Sequence, residues 1–334
     1  MARSPLTLAA LATSAVDALD VTSASPLGST GSATDAALLF TRDGSRLIVR
    51  VPRTKSSDTA LGAELTSLRA LSGGIRARLP FPVPTFLGDA PAPPTRAFVY
   101  DHLAGTPVDV TRIGRGDPLA ANIGRGIAAV HSLPTSFVAD ADLPIVRPLD
   151  ALTSVSAIMD RATSTGLVPA ALVDRWEHAT EDAALWQFAP TVIHGDMSSS
   201  VILHEGDAVT GILGWHALSV GDPARDLFWA LGSTTTGAAD GIFEAYNIVR
   251  GSTDRQTRKR AMLYAELEIA KWLLHGTEQR STDIVDDAVA MLHDLVDVVQ
   301  HDGTRNIDTN TRPVMTVEEV EAMLDRDERH PEGR

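Results

Sequence analysis

The period of the apolar residues changes along this chain of 334 residues, and that change limits the folds open to it. In the stretch Arg46 to Val51 apolar residues alternate as in a strand: Leu47, Val49 and Val51 share one face, and Arg50 lies on the other with Ile48. From Asp109 onward they recur at helical spacing, which predicts helices over 117–132, 148–165, 169–187, 222–232, 238–250, 254–276 and 281–301. The exception is a hairpin over 201–215, turning on Glu205-Gly206-Asp207. A β-rich first third joined near 104–109 to a helical remainder predicts an α+β protein of two lobes, a small one over 1–105 and a larger helical one over 106–302. Residues 303–334 read as a polar tail in which Thr316 and Glu319 form a capping box for a short final helix.

Within the first third, Ser4-Pro5 predicts the start of a folded amphipathic helix carrying Leu8, Leu11, Ala15 and Leu19, rather than a secretory leader. A Gly/Ser-rich turn with Gly28 and Gly31 follows, then strands over 36–41 and 46–51 joined by an Asp43-Gly44 turn. The next helix is expected to be capped by Ser57 or Asp58 and stopped by Gly73-Gly74, with Leu61, Leu65, Leu68 and Leu71 as its apolar stripe. Glu64 falls inside that stripe. A carboxylate aimed at a core needs a partner, and strand facing makes Arg50 the candidate. The Pro-rich segment 79–94 reads as an approach to a further strand that ends at Gly105.

Charge and composition narrow the function classes. Residues 1–105 carry 10 positive and 8 negative charges, whereas residues 106–334 carry 19 and 35. So acidic a second half disfavours nucleic acid and anionic membrane as partners and suits a cationic small molecule, although most of these carboxylates are expected to be solvated. Cysteine is absent, which excludes thiol nucleophiles and thiolate metal sites. No apolar run is long enough to span a bilayer, and the cytoplasm is the expected compartment.

The stretch "VIHGDMSSSVIL", followed by "GILGWHALSVGDPARDLFWAL", resembles the segment shared by aminoglycoside and macrolide phosphotransferases and choline-kinase-like proteins, whose form is H-G-D-x-x-x-x-N, then I-D-W, then G-D-P-x-x-D-L. The likeness extends upstream through "RLIVRVPR", "AELTSLRAL", "FVYDHLAGTPV" and "GRGIAAVHSLP", over roughly residues 5–275. It implies a protein-kinase-like two-lobed fold with ATP between the lobes. In such a fold Asp196 would orient the acceptor hydroxyl and accept its proton, while His194, Asp222 and Asp226 would support the catalytic loop. Arg50, standing where the family has lysine, would reach the α- and β-phosphates while pairing with Glu64; Arg50 could equally be a surface strand residue. Gly28 and Gly31 would cover the phosphates unless their loop is a plain hairpin connection, and the backbone near Asp101 and Leu103 would meet adenine. Asp283, Asp286, Asp287 and Asp294 would line the acceptor side, yet on an exposed helix they read as solvated.

The family's magnesium site is where the pattern breaks. Val201 occupies the position of the metal-binding Asn, and Gly214 that of the metal-binding Asp. Neither side chain has a lone pair for a hard cation. The hydroxyls of Ser198, Ser199 and Ser200 are poor replacements, Glu205 and Asp207 sit at a hairpin tip, and Asp222 belongs to a helix start. Asp196 remains as the anionic candidate, and capture by an ion would end its freedom as a base. The expected function is therefore ATP-dependent phosphoryl transfer to a small molecule with impaired activity, or a pseudokinase-like protein that binds a nucleotide or ligand without transfer. A hydrolase relay is not expected, because no G-x-S-x-G elbow is present.

Overall fold

The computed structural model describes residues 2–28, 33–232, 237–251 and 254–301, so Gly31 and the helix expected after Thr316 lie outside the described residues. Helix α1 (Pro5–Ala15) starts where the Ser4 side chain accepts the Thr7 N–H, with proline in its first turn. It lays Leu8 and Ala12 against Leu39, Val49 and Val99, on one face of a five-stranded sheet. The strands are β1 (Val21–Leu27), β2 (Thr34–Thr41), β3 (Arg46–Pro52), β4 (Phe86–Ala92) and β5 (Thr95–Asp101), in spatial order β1-β2-β3-β5-β4. Two of these go beyond the sequence expectation. β1 and β4 are the edges, with one pairing partner each, so their outer positions are half exposed and alternate poorly. The Pro-rich segment is therefore partly a strand, and Pro91 is tolerated because an edge strand has an unpaired side.

Helix α2 (Lys55–Ala70) covers the other face of the sheet. Its cap is Thr54, not Ser57 or Asp58: the Thr54 side chain accepts the Ser57 N–H and Ser57 answers the Thr54 N–H. The helix also ends earlier than the glycines, at Leu71. Gly73 and Gly74 instead open a short helix, α3 (Gly73–Arg76). There the Arg76 guanidinium donates to the carbonyls of Leu68, Leu71 and Val83, satisfying groups that the end of α2 leaves open. Leu61, Leu65, Leu68 and Leu71 join Phe98 and Tyr100 in a core that continues without a break into the second lobe.

That lobe contains β6 (Thr106–Pro107), α4 (Pro118–His131), α5 (Ser136–Asp140), α6 (Pro148–Ser164), α7 (Ala170–Glu181), β7 (Thr191–Ile193), β8 (Ile202–Glu205), β9 (Ala208–Ile212), β10 (Ser219–Gly221), α8 (Ala238–Arg250), α9 (Thr257–Gln279) and α10 (Thr282–His301). β8 and β9 form the expected hairpin, while β10 pairs with β7 just before the catalytic loop. The helix expected over 222–232 is instead two 3-10 turns, Pro223–Asp226 and Phe228–Gly232, because the Asp222 side chain takes the Ala224 N–H and Asp226 is turned inward. α7 stops at Glu181, short of residue 187, and the buried Trp186 folds back to donate to the Ala179 carbonyl.

Candidate active site

The loop that follows β7, in which the sequence places the candidate Asp196, is held by a buried carboxylate. Asp226 accepts the N–H of His194 at 2.7 Å and the N–H of Gly195 at 2.8 Å. Its second oxygen also meets Nε2 of His131 at 3.0 Å, and His131 Nδ1 lies 2.9 Å from the Tyr246 hydroxyl. Burial pushes Asp226 up, but the hydrogen bond and charge of His131, with His194 and the Gly195 N–H, outweigh it and hold the carboxyl below its ordinary value. His194 is fully buried as well. Its Nε2 donates to the Leu213 carbonyl at 2.8 Å, its ring packs edge-on against Trp215, and its Nδ1 has no partner. Burial lowers the His194 imidazole, against the pull of Asp226.

This frame leaves Asp196 facing outward, about half exposed, with its Oδ2 3.3 Å from Nε2 of His216. The approach of the two backbones depends on Gly195. It has φ +86°, and a Cβ there would lie 2.3 Å from the Ala217 carbonyl oxygen. Asp222 is wholly engaged, accepting the Ala224 N–H, the Arg260 Nε–H at 2.7 Å and the Tyr264 hydroxyl at 3.0 Å.

Val201 and Gly214 are neighbours in space. The Leu213 N–H donates to the Val201 carbonyl at 2.9 Å, and a Cβ on Gly214 would lie 3.3 Å from Val201 Cγ1. Gly214 has φ +76°, a left-handed conformation that glycine adopts without strain. The two adjacent positions therefore present an isopropyl group and a hydrogen, with no side-chain oxygen between them. Ser198 and Ser200 hydrogen-bond to each other, and Asp207 is exposed at the hairpin tip, its carbonyl taken by Asn122. Among the described residues no group of three or more His, Asp or Glu could hold a metal ion. Neither Val201 nor Gly214 offers a side-chain oxygen donor to a hard cation.

On the other lobe, Arg50 Nη1 donates to Glu64 Oε2 at 2.8 Å. Glu64 is buried while Arg50 stays partly open. Tyr100 ends beside this pair with a buried, unpartnered hydroxyl, raised by burial and by the charge of Glu64. At the hinge, the Asp101 N–H is used by the Thr85 carbonyl. Leu103 packs its side chain on Gly211 of β9, which ties the hinge to the second lobe. Gly28 ends β1 with φ +91° and open space around its Cα. Of the C-terminal acids, Asp283, Asp286 and Asp294 are exposed, and Asp287 accepts the Trp272 indole N–H.

Sequence reasoning passed over two residues. His131 stands in "GRGIAAVHSLP", and its signal was a polar side chain on the buried stripe of α4. His216 follows Trp215 directly, and nothing in its local pattern distinguishes it from an exposed turn histidine.

The sequence model of the phosphotransferase enzyme family matches residues 27–264. The Bacillus subtilis (strain 168) protein YcbJ is 25% identical over 208 residues, a match spanning 58% of this chain and 65% of that protein. Among solved structures, the apoenzyme of the macrolide 2'-phosphotransferase MphH from Brachybacterium faecium superposes with a TM-score of 0.71 at 20% identity, covering 86% of this chain and 97% of that one. The GDP complex of wild-type aminoglycoside 2'-phosphotransferase-IIIa gives 0.70 at 17% identity, covering 87% and 98%. At these identities the structural likeness shows the kinase-like two-lobed fold alone.

Proposed function

The chain belongs to the phosphotransferase enzyme family, and from that membership and the geometry of its cleft we propose that it binds ATP between its lobes and transfers the terminal phosphoryl group, slowly, to a hydroxyl of a small cationic molecule. The observation that carries the reduced rate is that Val201 and Gly214, held side by side by the Leu213 N–H to Val201 carbonyl bond, present no side-chain oxygen donor. In this family of reactions a protein-held magnesium ion neutralises phosphate charge, which is a main source of acceleration. Here the positions that would hold it carry an isopropyl group and a hydrogen.

The remaining residues have definable work. Arg50 keeps a guanidinium partly open beside Glu64, able to grip phosphate oxygens. Asp226 holds the loop from which the half-exposed Asp196 faces outward, free to meet an acceptor hydroxyl. In the transfer the acceptor oxygen forms a bond to the γ-phosphorus, the bond to the bridging oxygen breaks, ADP leaves with that electron pair, and Asp196 takes the hydroxyl proton. The acidic balance of residues 106–334, 35 negative against 19 positive charges, favours a cationic acceptor. The aminoglycoside 2'-phosphotransferase-IIIa and macrolide 2'-phosphotransferase neighbours suggest amine-bearing acceptors as the first to try. The loss of both ligands equally favours a second reading, a pseudokinase-like protein that binds nucleotide without transfer.

Calorimetric titration with ATP tests the proposal. Binding is expected to be nearly the same with and without magnesium, and the double change Val201→Asn with Gly214→Asp is expected to make it magnesium-dependent and to raise turnover. Asp is among the side chains most tolerant of the left-handed conformation at 214. Tight magnesium-dependent binding by the native chain, with brisk transfer that the double change does not improve, would overturn the impaired reading. Binding with no transfer to any acceptor selects the second one.

A further inference from the structure

We propose that His216 is a positioning residue for Asp196, an inference that rests on the phosphotransfer reading above and adds a second residue to it. The pair is built by packing on both of its sides. On one side the His194 ring meets the Trp215 ring edge-on at 4.8 Å. On the other the Gly195 backbone nests against the Ala217 carbonyl so closely that no other residue fits. The 3-10 turn Trp215–Ala217 is itself anchored by the Trp215 indole, which donates to the Ile212 carbonyl, and α2 packs against it. Between these fixed contacts the side chains of residues 196 and 216 have one shared space, and Nε2 of His216 comes to 3.3 Å from Asp196 Oδ2.

Stability does not account for this arrangement. The two side chains are 39% and 47% exposed, and an exposed pair of this kind contributes little to folding. Among the described residues His216 is the basic side chain paired with the Asp196 carboxylate. A general base with no partner rotates freely about its side-chain bonds. The 3.3 Å approach is not itself a formed hydrogen bond, but a small rotation of the imidazole turns its N–H onto Oδ2, which holds the carboxylate plane and leaves Oδ1 to accept the acceptor hydroxyl's proton. Catalytic hydrogen bonds are commonly long in a substrate-free enzyme and tighten when substrate binds. In this chain, with no oxygen ligand at 201 or 214, orientation of Asp196 falls to the histidine.

The test has a kinetic arm and a spectroscopic arm, both on the full chain. His216→Ala is expected to lower kcat about 10- to 100-fold, the usual effect of losing a group that orients a site residue, with the KM for ATP unchanged. His216→Gln, whose amide N–H reaches the same place as Nε2, is expected to restore most of that loss. The thermal midpoint should move little in His216→Gln, because a half-exposed pair of this kind adds little to folding. In nitrogen-edited NMR of the imidazoles, the His216 resonances, assigned by their absence in His216→Gln, should show hydrogen on Nε2 and should move in Asp196→Asn. The inference is overturned if His216→Ala retains full kcat while the native chain transfers phosphoryl, a result that leaves the phosphotransfer reading intact. It is equally overturned if the His216 resonances do not respond to Asp196→Asn. Should the native chain transfer to no acceptor tested, the phosphotransfer reading fails by itself and the spectroscopic arm still decides whether the pair exists.

Discussion

Asp226 and His194 show how a buried polar pair shapes a loop and also makes it sensitive to pH. Asp226 gathers two backbone N–H groups and one imidazole, so its charge is retained in a place without water. At His194 burial dominates, and its imidazole lies below the ordinary value of 6.5. The unfolded chain accepts a proton there below 6.5 that the folded chain refuses. The contribution of this residue is therefore complete above 6.5 and shrinks as the pH falls below it. Asp226, depressed from a much lower starting value, adds its own loss only in strong acid. Urea unfolding should give a constant midpoint on the alkaline side of neutrality and a falling one on mild acidification, and His194→Gln should flatten that slope. A midpoint that rises on acidification would contradict the assignment. Asp226 was legible at this scale only as a motif position; its hydrogen bonds join residues far apart in the chain.

Among the elements, α2 links the Arg50–Glu64 pair to packing, because its stripe of leucines fixes the direction in which Glu64 meets Arg50. The capping box at Thr54 sets where that helix begins, and hence the register of everything after it. Thr54→Ala is expected to cost about 1 kcal/mol in urea unfolding. It should also weaken ATP binding slightly through looser placement of Glu64, whereas Asp58→Ala should do neither to the same extent. The apolar period made α2, β3 and the longer helices readable in advance, although the ends of α2 were misplaced because Thr54 caps it and Arg76 closes it. β1 and β4 were not readable, since an edge strand meets solvent on one side and carries no clean alternation. Nor were the 3-10 turns over 223–232, which exist because Asp226 is drawn to the catalytic loop rather than because of local propensity.

For the whole molecule, the informative feature is that two apolar cores do not coincide with two lobes. One lies between α1 and the outer face of the sheet; the other starts at the inner face, includes Leu65, Phe98 and Tyr100, and runs on through Ile127, Trp176 and Leu273. The lobes therefore share a core and should unfold together. Leu65→Ala is expected to cost about 2–5 kcal/mol and to shift a single calorimetric transition, with tryptophan fluorescence from the second lobe following the same curve. Two separated transitions would show that the lobes fold independently.

The identities that a chain records locally were set by the sequence: alternation in β3, helical period from α4 onward, and side chains without oxygen at 201 and 214. Each follows from a residue's own chemistry or from neighbours a few positions away. Tertiary structure alone decided which distant groups meet, placing Val201 against Gly214, His131 on Asp226 and His216 beside Asp196. The physical reason is that burial leaves its mark on a residue's polarity, whereas the partner of a buried or facing group is chosen by how whole elements pack.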